Sequence, residues 1–289
     1  MKTYTIKQGK DFIKYYTFKS DTENKENLII YIDGSGYTSV LGLKKQGSWK
    51  AVTMAYELQS RLLPRFDLLV PEKKNMNPGK NYENQIKIIE DYSLEQRVQT
   101  AKTAITDYLE GNTYKRVLLV GHSEGGYILP RLYLSLKDDF DISGLAILSV
   151  GGLSQYEMFK TLKDKDLPYP AGYKQGLDWI EEAARDIKKN PESITKKYLG
   201  HPYKRWSSFM FYRPVDELVQ INIPILMIHG SEDMMSPVES SRFVKNEFEN
   251  LGKNNLYYIE YVGKGHDLGE DFDRVVCDIE KWFNEMIQK

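Results

Sequence analysis

The sequence predicts an α/β fold with a mostly parallel central sheet and helices on both of its faces. Short apolar runs alternate with segments of helical spacing along most of the 289 residues. The run 28–32 is apolar throughout, and 145–150 is apolar except for Ser149, as expected of strands that are buried on both faces. Ligands of such sheets bind beyond the carboxyl ends of the strands, so the residues that follow these runs are the first functional candidates.

The individual elements follow from the hydrophobic pattern and its boundaries. Strand-like runs end at Gly, Asp or Pro, and the segments between them carry apolar residues three and four apart. Ser93 is the predicted N-cap of one helix, with Gln96 in the capping-box position. The predicted strands are an edge hairpin at 4–19 and runs at 28–32, 66–71, 117–120, 145–150, 225–228 and 256–262; the predicted helices are about 48–63, 93–111, the segment after 123, 238–251 and 271–288; and 75–83 is a loop rich in Pro, Gly and Asn.

Residues 153–221 differ in composition and hydrophobic pattern from the rest of the chain. This stretch is charged, aromatic and mostly helical in pattern, with no strand-like run. The pattern therefore separates 153–221, a helical region, from 1–152 and 222–289. The aromatic side chains of 153–221 are expected either to cover a pocket or, preferably, to form a small core of their own: Tyr156, Phe159, Trp179, Trp206, Phe209 and Tyr212.

Composition excludes several classes of protein. Lys and Arg number 40 against 41 Asp and Glu, so no charge excess favours nucleic acid or an anionic membrane surface as a partner. No run approaches the roughly 18 apolar residues of a membrane span, and the N-terminus lacks the apolar stretch of a secretory signal. We expect a cytoplasmic protein. Cys277 is the single cysteine, which excludes an intrachain disulfide, and we expect it to be a buried small apolar residue.

The most informative motif is Gly-His-Ser-Glu-Gly at 121–125. It follows a run of valine and leucine and precedes a helix-like segment. In so tight a turn from strand to helix, side chains two residues either side of the serine would clash, which explains Gly121 and Gly125. Such a strained turn holds the serine hydroxyl at the end of the sheet, where a histidine can take its proton. We predict that Ser123 is a nucleophile.

The chain has four histidines from which a general base can come. His266 lies in a short glycine-rich loop after the last predicted strand and after an acidic candidate, and we predict that it is the base. His122 is expected to point away from the reacting group and serve packing. His201 is expected at the surface, and His229 as a satisfied turn histidine.

A carboxylate must orient the base, and residues 229–233 offer two. Asp233 is the better candidate, because the segment carries its last carboxylate toward the helix that Pro237 introduces. Glu232 is expected to be a solvated neighbour. Asp267 adjoins the base in sequence, but adjacent side chains on a loop tend to diverge.

Backbone N–H groups are needed for the oxyanion of a tetrahedral intermediate. We expect the N–H of Glu124 to be one donor, at the start of the helix after Ser123. A second is expected from Ser35 or Gly36 in the Asp-Gly-Ser-Gly segment at 33–36, for which an ordinary glycine-rich turn is the alternative interpretation.

The pattern indicates no metal and no organic cofactor. No pair of cysteines, no His-x-x-x-His and no acidic ladder occurs at ligand spacing, and no Gly-x-Gly-x-x-Gly follows a predicted strand. The partner we expect is a small-molecule ester or acyl compound. The oligomeric state stays open.

Taken together, these motifs resemble the α/β-hydrolase family from Leu28 onward. The order Ser123, Asp233, His266 is that family's order of nucleophile, acid and histidine. Many members carry His-Gly after the early strand, where this chain has Asp33-Gly34, so Asp33 is expected to supply a different hydrogen-bond network.

This resemblance implies a serine hydrolase that cleaves a carboxylic ester through an acyl-enzyme, with 153–221 as a cap inserted after the sixth strand. A thioester or a small-peptide amide is the alternative within the class. A binding module that kept the fold, or an acyltransferase or lyase on the same scaffold, is the alternative outside it.

Overall fold

One large β-sheet forms the centre of the molecule. The structure, a computed structural model, describes residues 1–20, 26–45, 48–50, 57–58, 61, 65–78, 88–165 and 167–287. The strands in those residues are β1 (Lys2–Gln8), β2 (Asp11–Phe18), β3 (Asn27–Ile32), β4 (Leu43–Lys45), β5 (Ser48–Lys50), β6 (Asp67–Pro71), β7 (Arg116–His122), β8 (Gly144–Leu148), β9 (Lys197–Tyr198), β10 (His201–Pro202), β11 (Ile225–Gly230) and β12 (Leu256–Tyr261).

Helices follow most of the parallel strands. Within the same residues they are α1 (Leu94–Leu109), α2 (Glu124–Leu136), α3 (Gln155–Lys163), α4 (Ala171–Asp178), α5 (Ile180–Lys189), α6 (Tyr203–Phe209), α7 (Pro214–Leu218), α8 (Glu239–Asn250) and α9 (Phe272–Ile287), with a 3₁₀ turn at Leu268–Glu270.

The described strands of the main sheet pair in the order β1-β2-β6-β3-β7-β8-β11-β12. β1 and β2 form the predicted edge hairpin, and β2 runs antiparallel to β6. All the remaining pairs are parallel, so the carboxyl ends of β3, β7, β8, β11 and β12 meet at one edge of the sheet. The loops after these strands are therefore brought together, whatever their separation in sequence.

Side chains of the sheet alternate between two hydrophobic cores. Leu28, Ile30 and Ile32 of β3 pack on the side of α1, α2 and α8, whereas Ile29 and Tyr31 pack on the side of α9. A strand with both faces covered reads as continuously apolar, which is the pattern that predicted it. The predicted α/β fold with helices on both faces is confirmed.

Residues 153–221 form helices α3 to α7 and also a small sheet. β9 and β10 pair antiparallel over two residues each, too short a length for a hydrophobic pattern to reveal, so the expectation of no strand was wrong. Phe159 and Trp206 lie in a separate core of this segment, Phe209 joins the main core, and Trp179 is 62% exposed.

Three other local predictions differ from the structure. The predicted helix at about 48–63 was wrong at its start, where β5 pairs with β4, and most of its remainder lies outside the described residues. Most of the predicted loop at 75–83 likewise lies outside the described residues. Ser93 caps α1 as predicted, but the Gln96 side chain accepts from Thr100 and does not complete a capping box. Cys277 is exposed, because it falls beside the buried stripe of α9.

The turn between β7 and α2 is held by close backbone contact. Ser123 has φ 55° and ψ −125°, a region that L residues rarely occupy. A Cβ placed on Gly121 would lie 2.6 Å from the carbonyl carbon of Gly125, and one on Gly125 would lie 2.0 Å from the carbonyl oxygen of Ile32. The glycines thus let the start of α2 rest directly on the end of β3.

Gly125→Ala is expected to lower the free energy of unfolding by at least about 2 kcal/mol, because the backbone carbonyl of Ile32 cannot move away from the added methyl group. Gly111→Ala is the matched control, since a Cβ there meets nothing within 4 Å. Urea unfolding measures both variants. A Gly125→Ala protein as stable as the control would contradict the proposed contact.

Candidate active site

Ser123 and His266 lie in hydrogen-bond contact above the sheet. Ser123 stands between the end of β7 and the start of α2, and its own N–H donates to the carbonyl oxygen of Leu148 at 2.9 Å. Its hydroxyl lies 2.9 Å from Nε2 of His266, on the loop after β12. A donor hydroxyl and an acceptor imidazole at this separation have the geometry for proton transfer from serine to histidine.

Asp233 completes a hydrogen-bonded chain of polar groups with His266 and Ser123. Its Oδ2 lies 2.7 Å from Nδ1 of His266, and Asp233 is 1% exposed. When Nδ1 carries its proton toward this carboxylate, Nε2 is left free to accept the proton of Ser123. The structure thus brings together the three side chains that sequence reasoning selected, although Ser123 and His266 are 143 positions apart in sequence.

The carboxylate of Asp233 is satisfied on both oxygens. Its Oδ1 accepts from the backbone N–H groups of Met235 and Ser236 at 2.7 and 2.9 Å, and its Oδ2 also lies 3.1 Å from Nε2 of His229. Burial by itself would raise the pKa of Asp233, but hydrogen bonds from His229 and His266 outweigh it and hold the pKa well below its usual range. Asp233 is therefore an ionised, fixed acceptor.

His229 is fully buried behind Asp233. Its Nδ1 lies 2.6 Å from the hydroxyl of Ser241, and its Nε2 lies 2.9 Å from the carbonyl oxygen of Ser236. Two acceptors at Nε2 require that this nitrogen carries a proton. The expectation of a satisfied histidine is confirmed, and its donor faces the carboxylate of Asp233.

His122 does not point away from the reacting groups as expected. Its Nε2–H donates to the carbonyl oxygen of His266 at 2.9 Å, and His122 is one of the residues that line the cavity over Ser123. The two imidazole rings are 5.0 Å apart. Burial, together with the charge that His266 can carry, lowers the pKa of His122 to about 4, so His122 is neutral near pH 7.

A cavity of about 820 Å³ opens over Ser123 between the sheet and residues 153–221. His201 lines it and is not the surface residue that was expected: its Nδ1 lies 3.2 Å from the hydroxyl of Tyr37, and burial lowers its pKa to about 4. The short β10 strand places this ring over the loop after β3. The apolar lining includes Val150, Met158, Phe159, Leu199, Trp206 and Phe272.

The loop after β3 passes directly beside Ser123. A Cβ on Gly34 would lie 3.8 Å from the Ser123 hydroxyl, and both Gly34 and Ser35 line the cavity. Gly36 is not among the lining residues described. Asp33 does make a different network: its carboxylate lies 3.3 Å from Nζ of Lys73, which is 2% exposed.

A cluster of buried charges surrounds the side chain of Glu124, which sequence reasoning considered only for its backbone. Arg205 holds this carboxylate through Nε and a terminal nitrogen at 3.2 and 2.6 Å, Nε of Arg97 lies 3.3 Å away, and the hydroxyl of Tyr92 donates to it. Burial would raise the pKa of Glu124, but the charges of Arg205 and Arg97 hold it below its usual value. Residues distant in sequence assemble this cluster, so no local motif signals it.

In the described part of the chain, no group of three or more His, Cys, Asp or Glu side chains is arranged to hold a metal ion. None of the helices in that part of the chain combines the length and apolarity that crossing a bilayer demands.

No family model matches this chain, but a curated protein resembles part of it. Esterase LipC of Mycobacterium tuberculosis is 24% identical over 161 residues, which cover 52% of this chain and 34% of that protein. The match thus spans only about a third of the length of the relative.

Solved structures resemble this chain over nearly its whole length. Est1E of Butyrivibrio proteoclasticus, with ferulic acid bound, is 18% identical with a TM-score of 0.66, covering 99% of this chain and 100% of that one. Proline iminopeptidase of Mycobacterium smegmatis is 11% identical with a TM-score of 0.61 over 99% and 98%. Acylaminoacyl peptidase of Pyrococcus horikoshii is 16% identical with a TM-score of 0.61 over 98% and 40%. This chain has the α/β-hydrolase fold.

The lowered pKa of His122 predicts a specific loss of stability in acid. Its pKa is about 4 in the folded protein and near 6.5 when unfolded, so the unfolded state binds more protons as the pH falls from about 6.5 to 4. His122→Gln keeps a donor for the His266 carbonyl. Compared with this variant, the wild type should lose roughly 2 to 3 kcal/mol of unfolding free energy between pH 6.5 and 4.

Urea unfolding at a series of pH values measures this difference. Above pH 7 the unfolding free energies of the two proteins should differ by a constant amount, because His122 is neutral there in both the folded and the unfolded state. Curves that stay parallel between pH 6.5 and 4 would show that burial does not depress the pKa of His122.

Proposed function

We propose that this protein is a serine hydrolase that cleaves a carboxylic ester through an acyl-enzyme. The observation that carries the proposal is the continuous hydrogen-bonded chain from Ser123 through His266 to the buried carboxylate of Asp233. It lies at the carboxyl ends of parallel strands, at the floor of a cavity large enough for a small organic substrate.

In this mechanism Ser123 attacks the ester carbonyl while Nε2 of His266 takes its proton. His266 then gives that proton to the leaving alcohol, and the acyl group stays on Ser123. A water molecule, deprotonated by His266, attacks the acyl-enzyme, and His266 then returns that proton to the oxygen of Ser123 as the acid leaves. Asp233 stays ionised, holds His266 in the required tautomer and stabilises the imidazolium that forms.

The oxyanion of each tetrahedral intermediate is assigned to two backbone donors. One is the N–H of Glu124, at the positive end of α2. The other is the N–H of Ser35, because Ser35 lines the cavity beside Gly34 whereas Gly36 is not among the lining residues. Small residues in this loop permit close approach of the backbone to the substrate.

Residues 153–221 act as a cap in this proposal, since they supply one wall of the cavity, including Phe159, Trp206 and His201. An acyl group with an apolar or aromatic body suits this wall. The ferulic acid held by the similar structure Est1E is an aromatic acid, which favours the same kind of acyl group here.

A small-peptide amide is the second candidate for the scissile bond. Two of the similar structures are peptidases, and they share the fold with the esterases. Matched ester and amide substrates with the same acyl group distinguish the two activities. An acyltransferase would prefer an added alcohol or amine to water, and a binding module would bind without turnover.

Ser123→Ala is expected to abolish labelling by a fluorophosphonate probe and to lower kcat on 4-nitrophenyl esters by on the order of 10⁴-fold or more. Without the hydroxyl, neither the covalent adduct nor the acyl-enzyme can form. A series of 4-nitrophenyl esters of graded aliphatic and aryl acids then reports the reach of the cavity.

Ser135→Ala, at the opposite end of α2, is the matched control and should label and turn over like the wild type. Its hydroxyl donates to the carbonyl of Leu132 in the same helix. A folded wild type that neither labels nor hydrolyses any ester of the series would overturn the hydrolase and favour the binding module.

A further inference from the structure

Arg97 of α1 bridges two backbone segments that lie on either side of Ser123. One of its terminal nitrogens donates to the carbonyl oxygen of Asp33 at 2.5 Å and lies 3.4 Å from that of Gly34. Its Nε lies 3.3 Å from the carboxylate of Glu124. A single guanidinium thus contacts both the loop after β3 and the first residue of α2.

The bridge is buried, and neutralising Glu124 does not require it. Arg97 is 9% exposed and Glu124 is 3% exposed. Glu124 already has a two-point ion pair with Arg205, a further donor in Tyr92, and a place at the positive end of a helix. A second guanidinium is costly to bury, and Arg97 offsets that cost with hydrogen bonds from one terminal nitrogen to the Asp33 and Gly34 carbonyls, while its buried Nε contacts Glu124 as an ion pair without a hydrogen bond.

The two bridged segments carry the two donors assigned to the oxyanion. The N–H of Ser35 follows the Gly34 carbonyl that Arg97 approaches, and the N–H of Glu124 belongs to the residue whose carboxylate Arg97 contacts. The segments also meet directly, since a Cβ on Gly125 would lie 2.8 Å from the carbonyl oxygen of Asp33.

We propose that Arg97 is a positioning residue for the oxyanion-binding site, holding the backbone donors of Ser35 and Glu124 at a fixed separation through the Asp33 carbonyl and the Glu124 carboxylate. This inference rests on the hydrolase proposed above. Arg97 touches neither substrate nor Ser123 in this role. Arg97, from α1, holds the loop after β3 in place. In that loop Asp33 occupies the position at which many α/β-hydrolases have histidine.

The fork of the guanidinium is essential to this role. Its nitrogens are fixed in one plane, so an ion pair with a carboxylate at one edge and a hydrogen bond to a carbonyl at another keep one relative geometry. A lysine ammonium keeps the buried charge but cannot fix both partners in one geometry. Since a shift of about 1 Å in an oxyanion donor can cost on the order of 100-fold in rate, loss of the bridge should appear in kcat.

The test compares Arg97→Lys and Arg97→Gln with the wild type on one 4-nitrophenyl ester and on a trifluoromethyl ketone with the same acyl group. The ketone forms a tetrahedral adduct whose oxyanion needs both donors. We expect kcat to fall about 10-fold in Arg97→Lys and about 100-fold in Arg97→Gln, with KM within about twofold of the wild type. The inhibition constant of the ketone should rise by the same factor as kcat/KM falls.

Arg131→Gln is the matched control, because it removes a guanidinium from an ion pair with Glu217 at 2.7 Å on the partly exposed face of α2. It should keep wild-type kcat and ketone affinity. Rates are compared per folded protein, with circular dichroism and urea unfolding recorded for each variant.

Several results would overturn the proposal. They are wild-type kcat in a folded Arg97→Lys protein, a fall in kcat without weaker ketone binding, or failure of Arg97→Lys to fold, which would assign Arg97 a structural role. If Arg97→Gln does not fold, the kcat and ketone affinity of Arg97→Lys test the proposal by themselves. A wild type without esterase activity would instead refute the hydrolase, so the two failures are distinguishable.

Discussion

The contact of the β7–α2 turn with the end of β3 is the constraint on which the site depends. Gly125 rests on the carbonyl of Ile32 at a distance that excludes any side chain. This contact allows α2 to begin immediately after Ser123, which brings the serine hydroxyl, the first N–H groups of the helix and the loop after β3 to one point. The unusual backbone of Ser123 is tolerated because close packing on both sides determines it.

Buried charge is organised differently on the two sides of Ser123. On the side of His266, Asp233 receives four donors, of which two are backbone N–H groups and two are histidines. On the other side, Glu124 is held by two guanidiniums and a phenol. Isolated charges at such burial would be strongly unfavourable, so each carboxylate persists only because its partners are complete. The full set of partners also fixes the positions of the two carboxylates, so that each can orient the groups it contacts.

The segment 153–221 contributes to the site more than a covering surface. Arg205 reaches from α6 to the residue that follows Ser123, and His201 reaches from β10 to Tyr37 in the loop after β3. These contacts tie residues 153–221 to both of the backbone segments that flank Ser123. Movement of this segment relative to the sheet would therefore break buried ion pairs as well as open the cavity.

The sequence by itself determined the α/β class, most of the strands, and the selection of Ser123, Asp233 and His266. The strands and the three residues each lie in a short continuous segment. Periodicity, glycine spacing and the order of residues along the chain are therefore enough to identify them. Only the tertiary structure decided the partners of Glu124, the cavity-facing positions of His122 and His201, and the bridge made by Arg97. Those contacts join residues tens of positions apart, and they depend on the angle and depth at which α1, α2 and residues 153–221 pack on the sheet. Local patterns do not encode that packing, because it follows from the shapes of many side chains at once.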